Sequence, residues 1–592
     1  MSEPSFSRPP EQIHDPLPNE AQFTFRAVAT GCLLGLVISS MNIYFGLRTG
    51  WSIGGSLIAA ILGYSIWSAI HRASGARAYT VLETNITQTS GSAAGAMTSA
   101  AGLLSAIPAL GMLGTKLSYG ELVMWAFAVG YLGVFYAVPL RNQMVVVEKL
   151  RFPTGTATAE TIISMFAKGS TAVAQASALV RWAIAAALFT IVAFFVPQIQ
   201  APPMEWIGLA AIGAWGFSIY ISPLMLGAGI LIGPRVGASL FAGAVVSWAI
   251  IGPIAQANGW AEGSIMSYQD GPRGWILWPG VAIMVADALT NLALSWRTIL
   301  NTFKRSDRAN PGTVVVGEQV PNSWWLIGLT AGTVLAAFVA WRVFEIPPYM
   351  TVIAVAMSSI LAMIAVRSTG ETDINPVGGM GKVTQLVFGG ISPGNTTTNL
   401  MAAAVTSAGA SQAGDMMHDL KAGRLLGASP RKQILAQCIG IAAGIPVCTA
   451  IYKLFDTAYE IGGTELPAPA AHAWRAMAEL LSNGFDQLPP NAEIAILCGA
   501  LFGVLMPVLR KYAPALRPIL PSGLAFGIAF IVPAFYSVAM FIGSLLLVLW
   551  KSRAPQSAKI FAIAVASGLI AGEGLMGVVT AVLTLLGLGP LT

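Results

Sequence analysis

The sequence predicts an all-α fold: a polytopic transmembrane helix bundle of about 14 to 16 spans, in two related halves with broken or re-entrant segments. Three observations lead there. Of 592 residues, 55% are hydrophobic and only 10% charged, where a soluble domain carries roughly 25% charged residues. Apolar stretches recur along the whole chain at close to the ~20 residues that a spanning helix needs. The basic residues gather in short segments between those stretches, which is the charge pattern of a multi-span protein.

In order, the apolar stretches of the first half begin near Phe25, Trp51, Ile86, Leu122, Leu179, Trp206, Val236 and Trp275. Those of the second half begin near Trp324, Thr351, Asp373, Thr398, Ile434, Ile494, Leu520, Val538 and Ile560. Residues 183–196 are apolar but for Thr190, which excludes the alternating strands of a β-barrel. Basic groups separate the stretches: Arg72 with Arg77; Arg141, Lys149 and Arg151; Lys304, Arg305 and Arg308; Lys421, Arg424, Arg431 and Lys432; Arg510, Lys511 and Arg517; Lys551, Arg553 and Lys559. Acids prevail elsewhere, as at Glu262 with Asp270 and at Asp456, Glu460 and Glu465. The positive-inside rule then places the basic loops and the N-terminus in the cytoplasm of a multi-pass protein of the cell membrane. With its cations spread among loops, the net charge of +6 gives no sign of a nucleic-acid partner.

Residues 1–22 read as a polar cytoplasmic tail without the n-region and h-region of a cleavable signal. Residues 23–300 form a first transmembrane repeat, 301–322 a cytoplasmic linker and 323–592 a second repeat. Echoes across the halves support the division. Glu83-Thr84-Asn85-Ile86 recurs as Glu371-Thr372-Asp373-Ile374, Gly229-Ile230 as Gly527-Ile528, and Phe241-Ala242-Gly243 as Phe541-Ile542-Gly543. An isolated acid lies late in each half, Asp287 and Glu573. The first half starts and ends at basic segments, which implies an even number of crossings, about eight, with both halves entering from the cytoplasm as a parallel repeat. The 63 glycines, many spaced four apart, predict close helix packing. Cys32, Cys438, Cys448 and Cys498 lie in apolar stretches without metal or disulfide spacing.

Chemistry is expected where glycine, proline and polar residues interrupt the apolar pattern, because irregular backbone at membrane depth must be buried in protein or line a wet cavity. Segment 371–385 is the clearest case. Asn375-Pro376 followed by Gly378, Gly379 and Gly381 breaks a helix and frees backbone groups for a ligand. Asp373, Asn375, these three glycines, Lys382 and Gln385 are therefore candidate substrate-binding residues, with Glu83 and Asn85 of segment 83–95 as first-half counterparts. Segments 152–161 and 392–399 are interrupted in a similar way. Buried carboxylates that take up and release a proton are the usual means of coupling, and Asp287 and Glu573 are the candidates. Asp415, His418 and Asp419 share a helix face but read as a solvated cytoplasmic helix end, and neither metal nor cofactor is expected.

Two enzyme-like strings fail. Gly378-Gly379-Met380-Gly381-Lys382 has Pro376 where a phosphate loop needs its first glycine and Val383 where it needs Ser or Thr. Gly50-Trp51-Ser52-Ile53-Gly54 matches a nucleophile elbow as a string but lacks the strand-to-helix context. An intramembrane enzyme is thus disfavoured.

Thr369-Gly-Glu-Thr-Asp-Ile-Asn-Pro-Val-Gly-Gly-Met-Gly-Lys-Val-Thr-Gln385 resembles the oligopeptide transporter family, specifically prokaryotic members near its yellow stripe-like branch. Residues 150–157, Ser222-Pro223-Leu224 with Gly229 and Pro234, and Asp419-Leu-Lys-Ala-Gly423 extend the resemblance, which runs over nearly all the chain from about Ala21. It implies secondary active transport, generally proton-coupled symport, of short peptides or of metal complexes with peptide-like or amino-acid-derived chelators. The expected partners are such a substrate, protons and membrane lipid, with a homodimer plausible from the glycine-rich faces. A polar-solute channel is the alternative. The Ser-Pro-Tyr-x-Glu-Val-Arg and Lys-Ile-Pro-Pro-Arg motifs of the eukaryotic peptide-transporting branch are absent from the sequence.

Overall fold

The computed structural model describes residues 12–294 and 320–589, apart from 18, 168, 269, 374 and 485–487. The expected linker therefore lies almost wholly outside the described residues. Among them the chain is helical, with only an isolated bridge between Ile461 and Leu466. The first ten helices are α1 (Phe25–Thr49), α2 (Ser56–Ser74), α3 (Val81–Ala100), α4 (Ala106–Met112), α5 (Tyr119–Gly130), α6 (Leu132–Arg141), α7 (Pro153–Ala167), α8 (Gly169–Phe195), α9 (Pro223–Ala244) and α10 (Pro272–Leu294). Ten more follow: α11 (Asn322–Phe344), α12 (Pro348–Thr372), α13 (Val377–Ile391), α14 (Thr396–Leu425), α15 (Pro430–Ala458), α16 (Pro469–Asn483), α17 (Ala492–Tyr512), α18 (Gly523–Ile531), α19 (Ala534–Arg553) and α20 (Pro555–Leu585). A few single-turn helices lie between them.

Eleven helices among the described residues are long and apolar enough to cross a membrane. The outward faces of α8, α11 and α17 carry exposed aliphatics such as Leu188, Ile327 and Leu497, as a lipid-facing surface requires. The remaining long helices fall short of that apolar standard because protein, not lipid, surrounds them. α14 has 30 residues rich in Thr, Asn, Ser, Gln and Asp, and it is buried along most of its length. α3 is likewise polar and buried. Its run of hydroxyl residues does not interrupt the helix, contrary to the expectation for segment 83–95. Thr84, Thr89 and Ser90 return their hydroxyls to the carbonyls of Thr80, Asn85 and Ile86, one turn back.

The discontinuities lie elsewhere. α1 ends at Gly50 (φ 81°), and the next residues turn back along it: Asn42 donates to the Ile53 carbonyl at 3.0 Å and accepts from the Ile53 amide at 3.1 Å. A side chain at Gly55 would touch Ser92, so α2 begins beside the middle of α3. α12 ends in the same manner at Asp373 (φ 67°), and Asn375 then donates to the Ala410 carbonyl at 3.1 Å. α13 thus begins beside the middle of α14. Both α2 and α13 start midway along a neighbouring helix and not level with its end.

Two segments fold back on themselves. In α9 the Leu226 carbonyl lies against Gly543, while Gly237 lies against Ser544. Eleven residues of straight helix would span about 16 Å, so both cannot meet neighbouring residues of α19 unless α9 reverses between them. It does so at Gly233, whose φ of 77° and ψ of 174° are non-helical. The α18–α19 pair reverses at Val532-Pro533, since Phe526 of α18 meets Gly243 while Phe541 of α19 stacks on Phe241 with centroids 4.8 Å apart. The second arm of α9 advances alongside α18. Ser239 accepts from the Ser522 amide, Gly243 meets Phe526, and Trp248 donates to the carbonyls of Ala529 and Val532. The two hairpins therefore point in opposite directions. Segments 229–243 and 527–543, paired by sequence, are antiparallel, which reverses the parallel relation that loop charge suggested. Loop charge orients spans only if each crosses, and a re-entrant hairpin enters and leaves on one side.

The hairpin crossing leaves no room for side chains. A methyl at Gly229 would come 2.0 Å from the Met540 carbonyl oxygen, whereas one at Gly378 would meet nothing within 4 Å. Gly229→Val should abolish the monodisperse peak in fluorescence-detected size exclusion, and Gly378→Ala should leave it unchanged.

Candidate substrate and coupling sites

A cavity of about 1470 Å³ is lined by the segment before α10, the loop before α16, and α16 itself. Its walls pair charge with aromatic surface. Arg273 is 1% exposed and sits 4.0 Å over the Tyr268 ring. It donates to the Gly463 carbonyl at 3.0 Å, while its Nε has no acceptor. Tyr268 stacks in turn on His472 at 4.4 Å, and Trp260 stacks on Trp275 at 5.6 Å. Arg475 of α16 is held by Glu479 at 2.9 Å. A cavity of this kind suits a polar ligand with carboxylates and apolar parts.

The residues expected at the substrate site divide between this cavity's supports and the opposite end of α13. Lys382 donates to the Ala473 carbonyl at 3.1 Å and lies 5.4 Å from the Trp474 ring centre. Gln385 donates to the Trp474 carbonyl at 3.0 Å, and its own carbonyl accepts from Asn399 at 2.7 Å. Gly381 faces the Trp474 ring, where a methyl would come within 2.7 Å, and Gly379 faces the Ala288 carbonyl. Lys382, Gln385 and Gly381 fasten α13 to α16 from behind, Gly379 packs on α10, and none of them lines the cavity. Asp373 instead caps α7, accepting from the Thr154 amide at 2.9 Å and hydroxyl at 2.8 Å, with His418 3.7 Å away.

Glu83 and Asn85 lie apart from all of these. Glu83 completes a capping box with Thr80 and is held by Arg26 and Arg77, both at 2.6 Å. Every part of that arrangement fixes the start of α3 against α1. Asn85 is buried and accepts from Gln88 at 3.2 Å.

Asp287 and Glu573 occupy matching places, each at the start of a hairpin. Glu573 accepts from the Leu224 amide at 2.8 Å and from the Ser222 hydroxyl at the N-terminus of α9. It is paired with Arg48 at 3.1 Å. Arg48 also meets Tyr220 at 3.1 Å, the Tyr44 ring at 4.5 Å and the exposed Glu465 at 3.5 Å. Asp287 lies against Gly523 at the N-terminus of α18. Its Oδ2 accepts from Asn291 at 3.0 Å, its Oδ1 has no donor, and Arg510 is near enough to act on its charge. Helix N-termini favour the carboxylate in both places.

Asp419 is only 2% exposed, so the helix end expected to be solvated is enclosed by α2, α3 and α15. The basic run after it had suggested a surface. In the fold the N-terminal segment covers this end of α14, with the Ile13 amide donating to the Leu425 carbonyl at 2.8 Å. Arg48 and Arg273 were also missed from sequence. The available signal was their position: Arg48 is a lone arginine near tyrosine and glycine inside an apolar stretch, and Arg273 sits between glycine and tryptophan at the border of one.

Helices sheathed in aliphatic residues around a polar core, opposed hairpins, helices that start midway along their neighbours, and a large polar cavity define a multi-pass membrane transporter. The comparisons give its family. Residues 22–584 match the model of the OPT oligopeptide transporter protein family, and the chain belongs to that family. It is similar, at 28% identity over 95% of this chain and 96% of the other, to a Saccharomyces cerevisiae protein named for oligopeptide transport. It is also 28% identical to the metal-nicotianamine transporter homologue YSL13 of Oryza sativa subsp. japonica, over 96% of this chain and 87% of that one. The rice homologue YSL5 matches at 26% over 99% and 97%. The chain is a transporter and not an enzyme.

Proposed function

We propose that this transporter performs secondary active, proton-driven uptake of a small carboxylate-bearing solute, either a short peptide or a metal complex of an amino-acid-derived chelator. The observation that carries this reading is the 1470 Å³ cavity with Arg273 buried in its wall and one guanidinium nitrogen lacking an acceptor. Arg273 is the anchor for a substrate carboxylate, and the stacked rings beside it receive the apolar part. The metal-nicotianamine names of the plant relatives favour the chelate over the peptide. The N-terminus and the basic loops face the cytoplasm, the cavity opens outward, and the protein sits in the cell membrane as a homodimer.

In this reading α13 is the element between the cavity and the inner side. Asp373, Asn375, Gly378, Gly379 and Gly381 form its pliable start, and Lys382 and Gln385 latch it to the cavity wall. Of the two acids at the hairpin starts, Asp287 keeps a free oxygen for a proton, whereas both oxygens of Glu573 are engaged.

Proteoliposome uptake tests the proposal. Labelled di- to pentapeptides and iron–chelate complexes are offered with and without an inward proton gradient. Accumulation of one class above its outside concentration, abolished by a protonophore, is the expected result. Equilibration without accumulation would identify a channel. Lys382→Met, which cuts the α13–α16 latch, should reduce the uptake rate about tenfold or more while leaving ligand binding within twofold.

A further inference from the structure

The mechanism so far leaves one buried carboxylate unused. Three enclosed acids have cations: Glu83 meets Arg26 and Arg77, Glu148 meets Arg367 at 2.7 Å, and Glu573 meets Arg48. Asp419 has none among the described residues. Its Oδ1 lies 3.2 Å from the Ser56 hydroxyl, which is also 3.0 Å from that of Ser92. Its Oδ2 has no donor. The fully buried amide of Gln88 lies within hydrogen-bond reach of this carboxyl. Gln88 commits its nitrogen to Asn85 at 3.2 Å and Thr89 at 3.0 Å, and its Oε1 too is left without a donor.

A buried carboxylate oxygen with neither a donor nor a cation is costly when the group is ionised. A proton on Asp419 removes that charge. Each helix packed on this point contributes neutral groups: Ser56 from α2, Gln88 and Ser92 from α3, and Gln433 from α15, which donates to the Asp419 carbonyl at 2.8 Å. The titratable neighbours are on α14 itself. Asp415 is one turn earlier and opposes a second negative charge. His418 is turned away to Gly155 of α7 and to Asp373, and Lys421 is two residues on. Ser56 opens α2, the helix that starts beside the middle of α3, so movement of that start away from α14 would wet the carboxyl.

We propose that Asp419 is a proton-binding site of the transport cycle, protonated while the Ser56 hydroxyl at the start of α2 is seated on it, and releasing its proton to water when that contact opens. This rests on the proton-driven reading above and assigns it a residue outside the hairpins.

The test compares gradient-driven uptake with counterflow exchange at equal pH on both sides, using whichever substrate the wild type accumulates. Asp419→Asn should lose at least tenfold in gradient-driven uptake while retaining exchange within about twofold, and its exchange should vary less between pH 5.5 and 8 than that of the wild type. Gradient-driven accumulation at the wild-type level in Asp419→Asn would overturn the assignment. If the wild type itself shows no response to the gradient, the proton-driven reading fails instead. Ser56→Ala gives a second measure should Asp419→Asn fold poorly. Ser56 can donate to the ionised carboxylate, and its loss favours the protonated form, so the pH midpoint of exchange should rise. An unshifted midpoint would count against Asp419.

Discussion

Replacing Arg48 with Leu should destabilise the purified protein by about 3–5 kcal/mol, the usual consequence of removing one partner of an enclosed ion pair. Arg48 and Glu573 meet at 3.1 Å, and both side chains are almost wholly buried. Without the guanidinium, Glu573 retains only the Ser222 hydroxyl and the Leu224 amide, and the tyrosines around Arg48 lose the cation they enclose. The effect should be non-additive. In Arg48→Leu/Glu573→Gln no unpaired charge remains, and the glutamine oxygen still accepts from Leu224. The double variant should therefore melt at a higher temperature than Arg48→Leu alone. Thermal denaturation of all three variants in detergent measures the coupling, and strict additivity would show that the pair is not an energetic unit.

That pair also shows where sequence reading succeeds and where it stops. Glu573 and Asp287 stood out because an isolated acid in an apolar stretch is costly wherever it lies. Their common setting, the N-terminus of a re-entrant arm, depends on contacts with distant segments that no local pattern reports. The break after Asp373 was legible because Asn375-Pro376 and the following glycines are helix breakers by covalent structure. Its counterpart at residues 50–55 contains no proline and was passed over for segment 83–95, whose hydroxyls looked disruptive. Hydroxyl residues can satisfy themselves on their own helix, and α3 does this. Asp419 was misplaced for a related reason. A polar helix is solvated in water but central in a membrane protein, and the choice depends on what packs around it.

The opposed hairpins give the transport proposal a physical basis for alternating access. Each has its acid at the start of its first arm: Glu573 at α9 and Asp287 at α18. The two settings differ in charge balance. Glu573 is bound to a permanent cation that reaches the exposed Glu465 of the loop before α16, beside the cavity. Asp287 keeps one oxygen free. A hairpin whose acid is clamped by an ion pair resists movement more than one whose acid is hydrogen-bonded only within its own helix. The α18–α19 hairpin is therefore the better candidate for the mobile member, with the α9 hairpin as its fixed support. Asp287→Asn, which removes charge but keeps the contact to Asn291, should alter the pH dependence of transport with little effect on thermal stability.

The second large effect is expected at Arg273. A buried guanidinium that ends on one carbonyl and an aromatic face, with Nε lacking an acceptor, is a cation without its anion. A substrate carboxylate would supply the missing partner, and a hydrogen bond to a charged group is worth about 1.5–3 kcal/mol. Arg273→Gln should therefore raise the KM for uptake roughly 10- to 150-fold. Arg273→Lys should recover little of it, because an ammonium cannot offer two parallel donors to a carboxylate. A purely structural arginine could produce similar losses, so the ligand is varied as well. Amidating the substrate carboxylate should weaken binding to the wild type by a similar factor and leave binding to Arg273→Gln nearly unchanged, since the partner is already gone. Equal losses on amidation in both proteins would place the carboxylate elsewhere in the cavity, with Arg475 as the remaining arginine in its lining.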